Sequence, residues 1–315
     1  MTVQIGVVMD PIQSITTYKD TTFAMLLAAQ AKGWQVWYMQ QKDLWCRDGR
    51  TWATMQHLWV KDDAQHWFTL GEAQEQPLAS LDVVLMRKDP PFDMEYVYTT
   101  YLLERAEEEG LLVLNKPQAL RDANEKCYTA WFPEHTAPTL IARHAKRIKD
   151  FLQEHQHIVL KPLDGMGGKS IFSLKQGDPN VNVCIETLTD NGSRFAMAQR
   201  YLPEIQSGDK RILLIDGEVV PYALARIPTG DEFRGNLAVG GKGVAQPISA
   251  QERKIAEQIG PKLNELGMIF VGLDVIGEYL TEINVTSPTG LRELDAAYDL
   301  DLGGQLMDAI AKRLK

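Results

Sequence analysis

Two distant segments of this chain carry groups that suit a single ligand. Residues 158–168 read I-V-L-K-P-L-D-G-M-G-G. An apolar stretch ends in Lys161, and the run Gly165, Met166, Gly167, Gly168 follows. A cation beside closely approaching backbone N–H groups is what a triphosphate requires. Residues 270–289, F-V-G-L-D-V-I-G-E-Y-L-T-E-I-N-V-T-S-P-T, offer Asp274, Glu282 and Asn284. All three are hard oxygen donors, and Mg²⁺ is held by one or two carboxylates together with substrate phosphates. The two segments together describe a site for ATP with Mg²⁺, or with Mn²⁺ in its place.

Each segment also has a plainer reading. Alone, the first is a glycine-rich β-turn, and its G-K-S at 168–170 ends like a P-loop. A P-loop fails on two counts. Leu163 holds the position of its first glycine, and residues 171–174, I-F-S-L, alternate like a strand where a phosphate-binding helix should begin. Strand, glycine loop, strand is therefore expected: a hairpin flap that covers phosphates. The plain reading of the second segment is a solvated acidic hairpin. Against it, Asp274 and Glu282 lie among Val271, Leu273, Val275, Ile283 and Val285, where a charge needs a partner. Glu282 and Asn284 share one strand face, because side chains alternate. A two-residue turn at Gly277-Glu278 would set Asp274 opposite Thr281, on the wrong face. A three-residue turn at 277–279 sets it opposite Glu282, so that turn is expected.

The elements that must position these groups follow from periodicity. Residues 3–9, 34–39, 81–86 and 111–114 read as strands, with helices at 20–32 and 94–109 stopped by Gly33 and Gly110. Such alternation implies a mostly parallel sheet. Asp10, Arg87, Lys88, Asp89 and Asn115 close its strands, at the edge where open sheets bind ligands. A solvated loop charge remains the plain reading for any one of them. A helix through residues 124–126 opens a second unit, which ends in a strand at 196–199 and a crossing at 200–203. A third unit holds strands at 211–215 and 219–225, a helix at 250–266, the acidic hairpin and a final helix from about 304. Arg211 and Arg226 fall on its consecutive strands, where they could clamp a phosphoryl group with charge-assisted bonds. Residues 227–243, with five glycines, read as a mobile lid.

Composition narrows the classes. The 315 residues allow two or three packed units, and 44% apolar with 24% charged content is ordinary for a globular protein. A net charge of −9 argues against nucleic acid. No apolar run reaches the roughly 18 residues of a membrane span. Cys46, Cys127 and Cys184, widely spaced, suit a reducing cytoplasm. The seven tryptophans, all at or before Trp131, read as core and interface aromatics. His155 and His157 read as a surface pair. No Ser–His–Asp set or reactive cysteine is evident.

Several runs resemble ATP-grasp ligases, and more narrowly the bacterial-type glutathione synthetase family. They are M-D-P at 9–11, M-R-K-D-P-P-F-D at 86–93, N-K-P at 115–117, N-E-K at 124–126, L-K-P-L-D-G-M-G-G at 160–168, G-D-K-R at 208–211, L-A-R-I-P at 224–228 and T-E-I-N-V-T-S-P-T at 281–289. Gly290 departs from the family, which carries cysteine there; no catalytic consequence is expected. The resemblance implies an α/β (α+β) ATP-grasp architecture. It comprises a Rossmann-like substrate domain (1–122), a central flap domain (123–202) and a mixed C-terminal domain with the metal site (203–315). It implies that Lys126 and Lys161 hold phosphates, that Gln199, Tyr201 and Leu202 read adenine and that Asp209 lies near the ribose. Arg87, Asp89, Arg234, Ser287, Thr289 and Arg292 would meet the organic substrates. The implied reaction joins γ-glutamylcysteine to glycine through an acyl phosphate, in a cytoplasmic homo-oligomer, a tetramer being one form. The residues alone reach only a carboxylate–amine ligase. A D-alanine–D-alanine-type ligase, a peptide-tailing ligase and a non-catalytic ATP-binding module stay open.

Overall fold

The computed structural model describes residues 2–230, 234–235 and 240–314. The first unit contains β1 (Gln4–Val8), α1 (Thr21–Ala31), β2 (Gln35–Met39), β3 (Leu44–Arg47), β4 (Arg50–Val60), β5 (Phe68–Pro77), β6 (Val83–Met86), α2 (Met94–Glu107), β7 (Leu112–Leu114) and α3 (Pro117–Asp122). Asp20 caps α1 by accepting the Phe23 N–H, and Asp93 caps α2 through Tyr96. The sheet order is β3-β4-β2-β1-β6-β7, with β5 on β4. Strands β2, β1, β6 and β7 are parallel, as the alternation predicts. Strands β3 to β5 form an antiparallel extension from residues 44–77 that the βαβ pattern does not foretell.

The second unit is β8 (Thr139–Ala142), α4 (Ala145–His155), β9 (His157–Pro162), β10 (Phe172–Lys175), α5 (Val181–Thr189) and β11 (Ala196–Arg200), with sheet order β10-β9-β11-β8. The glycine run joins the antiparallel strands β9 and β10, so it is the expected hairpin. Residues 124–126 form a turn rather than a helix. Asn124 Oδ1 accepts the N–H groups of Lys126 and Cys127, the Asx geometry that competes with helix.

The third unit is β12 (Asp209–Ile215), β13 (Glu218–Ile227), β14 (Lys242–Pro247), α6 (Ala250–Glu265), β15 (Phe270–Ile276), β16 (Tyr279–Asn284), α7 (Leu291–Tyr298) and α8 (Leu302–Arg313), with sheet order β14-β13-β12-β15-β16. The segment 227–243 joins β13 to β14. Its ends belong to those strands, and Thr229 donates to the Gly240 carbonyl. Residues 231–233 and 236–239, in the middle of the expected lid, lie outside the described residues. Among the described residues, no helix is long and apolar enough to cross a membrane.

The first and third sheets share their cores. One cluster unites Phe23, Leu26 and Val83 with Leu213, Ile215, Leu306 and Ile310. Helix α8 lies against α1, where Gly303 faces Ala24 and Ala28 so closely that a Cβ would stand 3.1 Å from the Ala28 side chain. The second unit keeps its own core, from Ile148, Leu160 and Ile185 to Ala198. The tryptophans divide: Trp34, Trp37 and Trp67 pack half-buried against the cores, none is fully buried, and Trp59 and Trp131 are exposed. His155 packs on Phe151. His157 stacks on Tyr201 with ring centroids 3.9 Å apart and bonds Ser173, so neither is a plain surface residue.

Asn115 fastens the two large sheets. Its Nδ2 donates to the carbonyls of Phe270 and Val285, and its Oδ1 accepts the N–H groups of Ile269 and Phe270. It is a buried joint, not the ligand contact expected of a strand-end residue. Asn115→Ala should cost about 3 kcal/mol or more, since each orphaned buried group costs about 1–3 kcal/mol. Urea unfolding checks this, and a loss below about 1 kcal/mol would contradict the joint.

Candidate active site

One face of the third sheet carries a row of charges. Strand pairing sets Arg226 of β13 opposite Asp209 of β12, and Arg211 of β12 opposite Asp274 of β15. Asp274 in turn pairs with Glu282 of β16, and Asn284 follows two residues on. The pairing of Asp274 with Glu282 is the expected one, but its cause differs. The turn is the two-residue Gly277-Glu278, with Ile276 opposite Tyr279. The odd residue sits as a β-bulge between Asp274 and Val275 in the ladder, and Thr281 Oγ1 donates to the Asp274 carbonyl there. A bulge shifts side-chain phase as an odd turn would, and bulges recur beside active sites.

Asp274 is 1% exposed. Arg211 grips it with two bonds, Nε to Oδ1 at 2.5 Å and Nη2 to Oδ2 at 2.8 Å, and Arg226 Nη2 lies 2.8 Å from Oδ2. Asn284 adds a bond at 3.2 Å. Burial alone would raise this carboxyl; Arg211 and Arg226 reverse it and hold it well below the usual range. Gly272 makes room for the grip, since a Cβ there would stand 2.7 Å from Arg211 Cδ. Arg226 also bonds Asp209 at 2.5 Å. The second Asp209 oxygen, Oδ1, is buried without a hydrogen-bond partner. Burial pushes the Asp209 carboxyl up to about 7, against the pull of Arg226.

Two cavities open beside this row and share Ile171 and Glu282. The first, about 660 Å³, is lined by Lys161, the linker Gln199, Arg200, Tyr201 and Leu202, and Asp209. Lys161 is 6% exposed, with no hydrogen-bond or ion-pair partner among the described residues. Burial lowers its pKa, with Glu282 pulling the other way. A buried ammonium that faces a cavity calls for an anion. In the linker, the N–H groups of Arg200 and Tyr201 are spent on Pro138 and His157, while no acceptor among the described residues meets that of Leu202. Gln199 bonds Thr139 through its side chain.

The second cavity, about 940 Å³, gathers Asp89, Lys126, the loop Gly165, Met166, Gly167 and Gly168, Arg211, Arg226, Glu282, Asn284, Ser287 and Thr289. Lys126 is 2% exposed and bonds the Gly165 carbonyl at 2.7 Å, anchoring the loop. Its ammonium touches the Glu125 carboxylate and lies 3.6 Å from Glu282. Against the cost of burial, these carboxylates raise its pKa. Glu125 is a residue the sequence reading missed. Its N-E-K context was noted, but nothing in one sequence shows that this glutamate is buried beside Glu282. Burial and the Glu282 charge raise its pKa.

Arg87 and Arg292, expected to meet substrates, bond protein groups in this structure, and Arg234 stands at the first cavity. Arg87 is buried and donates to Thr22 and to the Pro288 carbonyl, so it holds the 287–289 segment from behind. Arg292 binds the Thr17 carbonyl and Asp62. Arg234 donates to the Gly168 carbonyl at 2.7 Å and lines the first cavity. Gly290, with φ +109°, precedes α7 in a conformation that favours glycine over a side chain.

The donor set suits a divalent cation held jointly with phosphate. It offers two carboxylates and an amide on adjacent strands, and Glu282 and Asn284 face the cavity. No group of three or more His, Cys, Asp or Glu among the described residues could cage a metal alone. Asp274 is fully engaged by arginine, so it joins a cation only if the guanidiniums turn away.

The chain matches the model of the prokaryotic glutathione synthetase N-terminal domain over residues 3–121 and that of its ATP-grasp domain over 125–299. The chain belongs to the prokaryotic glutathione synthetase family. A glutathione synthetase of Pseudomonas putida is 60% identical over 315 residues, covering 100% of this chain and 99% of the relative. One of Shewanella oneidensis is 61% identical over 312 residues, covering 99% of each. Among solved structures, the D-cycloserine synthetase DcsG superposes with a TM-score of 0.69 at 16% identity, covering 99% of this chain and 100% of that one. D-alanyl-alanine synthetase A of Vibrio cholerae gives 0.60 at 11% identity, covering 99% and 98%. Both likenesses concern the ATP-grasp fold alone.

Asp274→Asn tests the charge row that this family member builds on its third sheet. It keeps the shape and leaves two buried guanidiniums facing a neutral amide. Breaking a buried pair costs about 3–5 kcal/mol, and chemical denaturation should show a loss of that order. A loss within about 1 kcal/mol would mean that water already screens the pair.

Proposed function

We propose that this chain is an ATP-dependent ligase that joins γ-glutamylcysteine to glycine, making glutathione and releasing ADP and phosphate. Two adjoining cavities sharing Glu282 and Ile171 carry the reading. One offers the 199–202 linker and a buried lysine with no partner among the described residues, the other a glycine loop and two arginines. Membership of the synthetase family supports the identities of the substrates.

The residues divide the work as follows. The 199–202 linker receives adenine, with the Leu202 N–H as its donor, and Asp209 Oδ1 accepts a ribose hydroxyl. Lys126 and Lys161 hold the phosphates as point charges, and the 165–168 loop covers them with backbone N–H groups. Glu282, Asn284 and Asp274 would hold Mg²⁺, with Mn²⁺ as the alternative. When bound with the nucleotide, that cation neutralises phosphate charge. Arg211 and Arg226 move from Asp274 to the γ-phosphoryl oxygens, exchanging one set of charge-assisted bonds for another. The acid substrate lies along Asp89, Ser287 and Thr289. Its carboxylate oxygen attacks the γ-phosphorus and ADP leaves. The glycine amine then attacks the acyl carbon, phosphate leaves with the C–O bonding pair, and the proton lost by the amine ends on the departing phosphate. No group of the protein becomes covalently attached, so catalysis is positioning and charge stabilisation. In this reading residues 1–122 hold the organic substrate, 123–202 are the flap and 203–315 carry the metal site. The enzyme is a cytoplasmic homo-oligomer whose three cysteines, free in this structure, stay reduced.

The defining experiment measures ADP released from Mg–ATP with γ-glutamylcysteine and glycine, omitting each in turn. Release should require both. Full release without glycine would point to a different acceptor, and none with either substrate would sink the ligase. Lys161→Ala should reduce kcat/KM for ATP at least about tenfold, or 1.4 kcal/mol. A change within about threefold, about 0.6 kcal/mol, would remove Lys161 from the phosphate site. Glu282→Gln should shift the Mg²⁺ dependence to higher concentration, and an unchanged dependence would discard its metal role.

A further inference from the structure

The first sheet has a switch point at β1. The chain passes from β1 to β2 on one side of it and from β6 to β7 on the other. Open parallel sheets bind ligands beyond the carboxyl ends of their strands at such a point. A third cavity lies there, separate from the two already described. Met9 and Leu44, both buried, give it an apolar floor, and Tyr98 of α2 forms a wall.

Four charged residues line it, and they divide into two kinds. Asp10 and Lys88 neutralise one another at 3.0 Å, and Asp10 also accepts the Asp89 N–H at 3.0 Å. Lys42 and Glu95 have no ion-pair partner among the described residues. The cavity thus offers one uncommitted cation and one uncommitted carboxylate above apolar surface. A dianion would repel Glu95 and a cation would repel Lys42. The complementary ligand carries both charges and a short methylene chain.

We propose that this cavity binds the α-amino-acid end of the acid substrate, Glu95 taking its ammonium, Lys42 its carboxylate and Met9 and Leu44 its methylenes. The proposal rests on the ligase reading and names the residues that would hold the γ-glutamyl end of its acid substrate. Lys88 lines this cavity and its neighbour Asp89 lines the phosphate cavity. A γ-linked dipeptide seated across these two residues would set its reacting carboxylate in the phosphate cavity and its amino-acid end in this one.

The test is steady-state kinetics of Lys42→Ala and Glu95→Gln on the full chain, with γ-glutamylcysteine and with N-butyrylcysteine, which lacks the α-amino and α-carboxylate groups. Each variant should raise KM for γ-glutamylcysteine about tenfold, or 1.4 kcal/mol. KM for ATP and for glycine should stay within twofold, and the effect should fall on KM rather than kcat. Wild type should prefer γ-glutamylcysteine to N-butyrylcysteine, and both variants should lose most of that preference. An unchanged KM for γ-glutamylcysteine in both variants would overturn the subsite and leave the ligase standing. A preference that survives both substitutions would do the same. KM values raised equally for all three substrates would show a structural role only, and would also overturn it. A wild type inert toward γ-glutamylcysteine would instead bring down the ligase reading and the subsite with it.

Discussion

The grip of two arginines on one buried carboxylate organises this molecule. Asp274 is almost sealed from water, and its charge persists because Arg211 and Arg226 hold it. Removing water from three charges is costly, and such a cluster is a poor source of stability compared with packed hydrocarbon. Its value lies in what it stores. The guanidiniums are desolvated in advance and aimed into the cavity by strand pairing that leaves them little freedom. Anything that draws Asp274 away offers both to a phosphoryl group without reorganising solvent. Gly272, the Thr281 bulge and the Asp209–Arg226 pair all serve that arrangement.

The two cavities meet at Glu282 and Ile171, which line both. A group shared in this way registers the occupancy of each side. Lys126 extends the link, touching Glu125, Glu282 and the glycine loop through one ammonium. Loop position and carboxylate charge are thereby coupled through one ammonium that joins three segments distant in sequence.

Much of this was legible in the sequence because it depended on local pattern. Strand period two placed Glu282 and Asn284 together, apolar neighbours showed that Asp274 must be buried, and Lys161 stood at the end of an apolar run before glycines. What escaped depended on contacts between distant segments. The pairing of Asp274 with Glu282 was foreseen but assigned to a longer turn, because a bulge leaves no signature that separates it from one. Asn115 read as a strand-end ligand residue, and Arg87 and Arg292 as substrate contacts. Each instead bonds a partner remote in sequence, from Thr22 and Asp62 to Val285 and Pro288. The tryptophans show the limit of composition, since large apolar area does not say which side of a sheet will be covered.

The way the cores are divided has a consequence for synthesis. The middle sheet closes its own core between residues 142 and 198, so it can become compact as soon as that stretch leaves the ribosome. The first sheet cannot. Its strands and α1 pack against α8, made long after them, with Gly303 seated on Ala24 and Ala28. Domains commonly fold in order from the amino terminus; here α1 must wait for α8. The nascent protein carries a finished centre between two unfinished flanks, and its apolar β1 and α1 are the surfaces that a chaperone would have to shield longest.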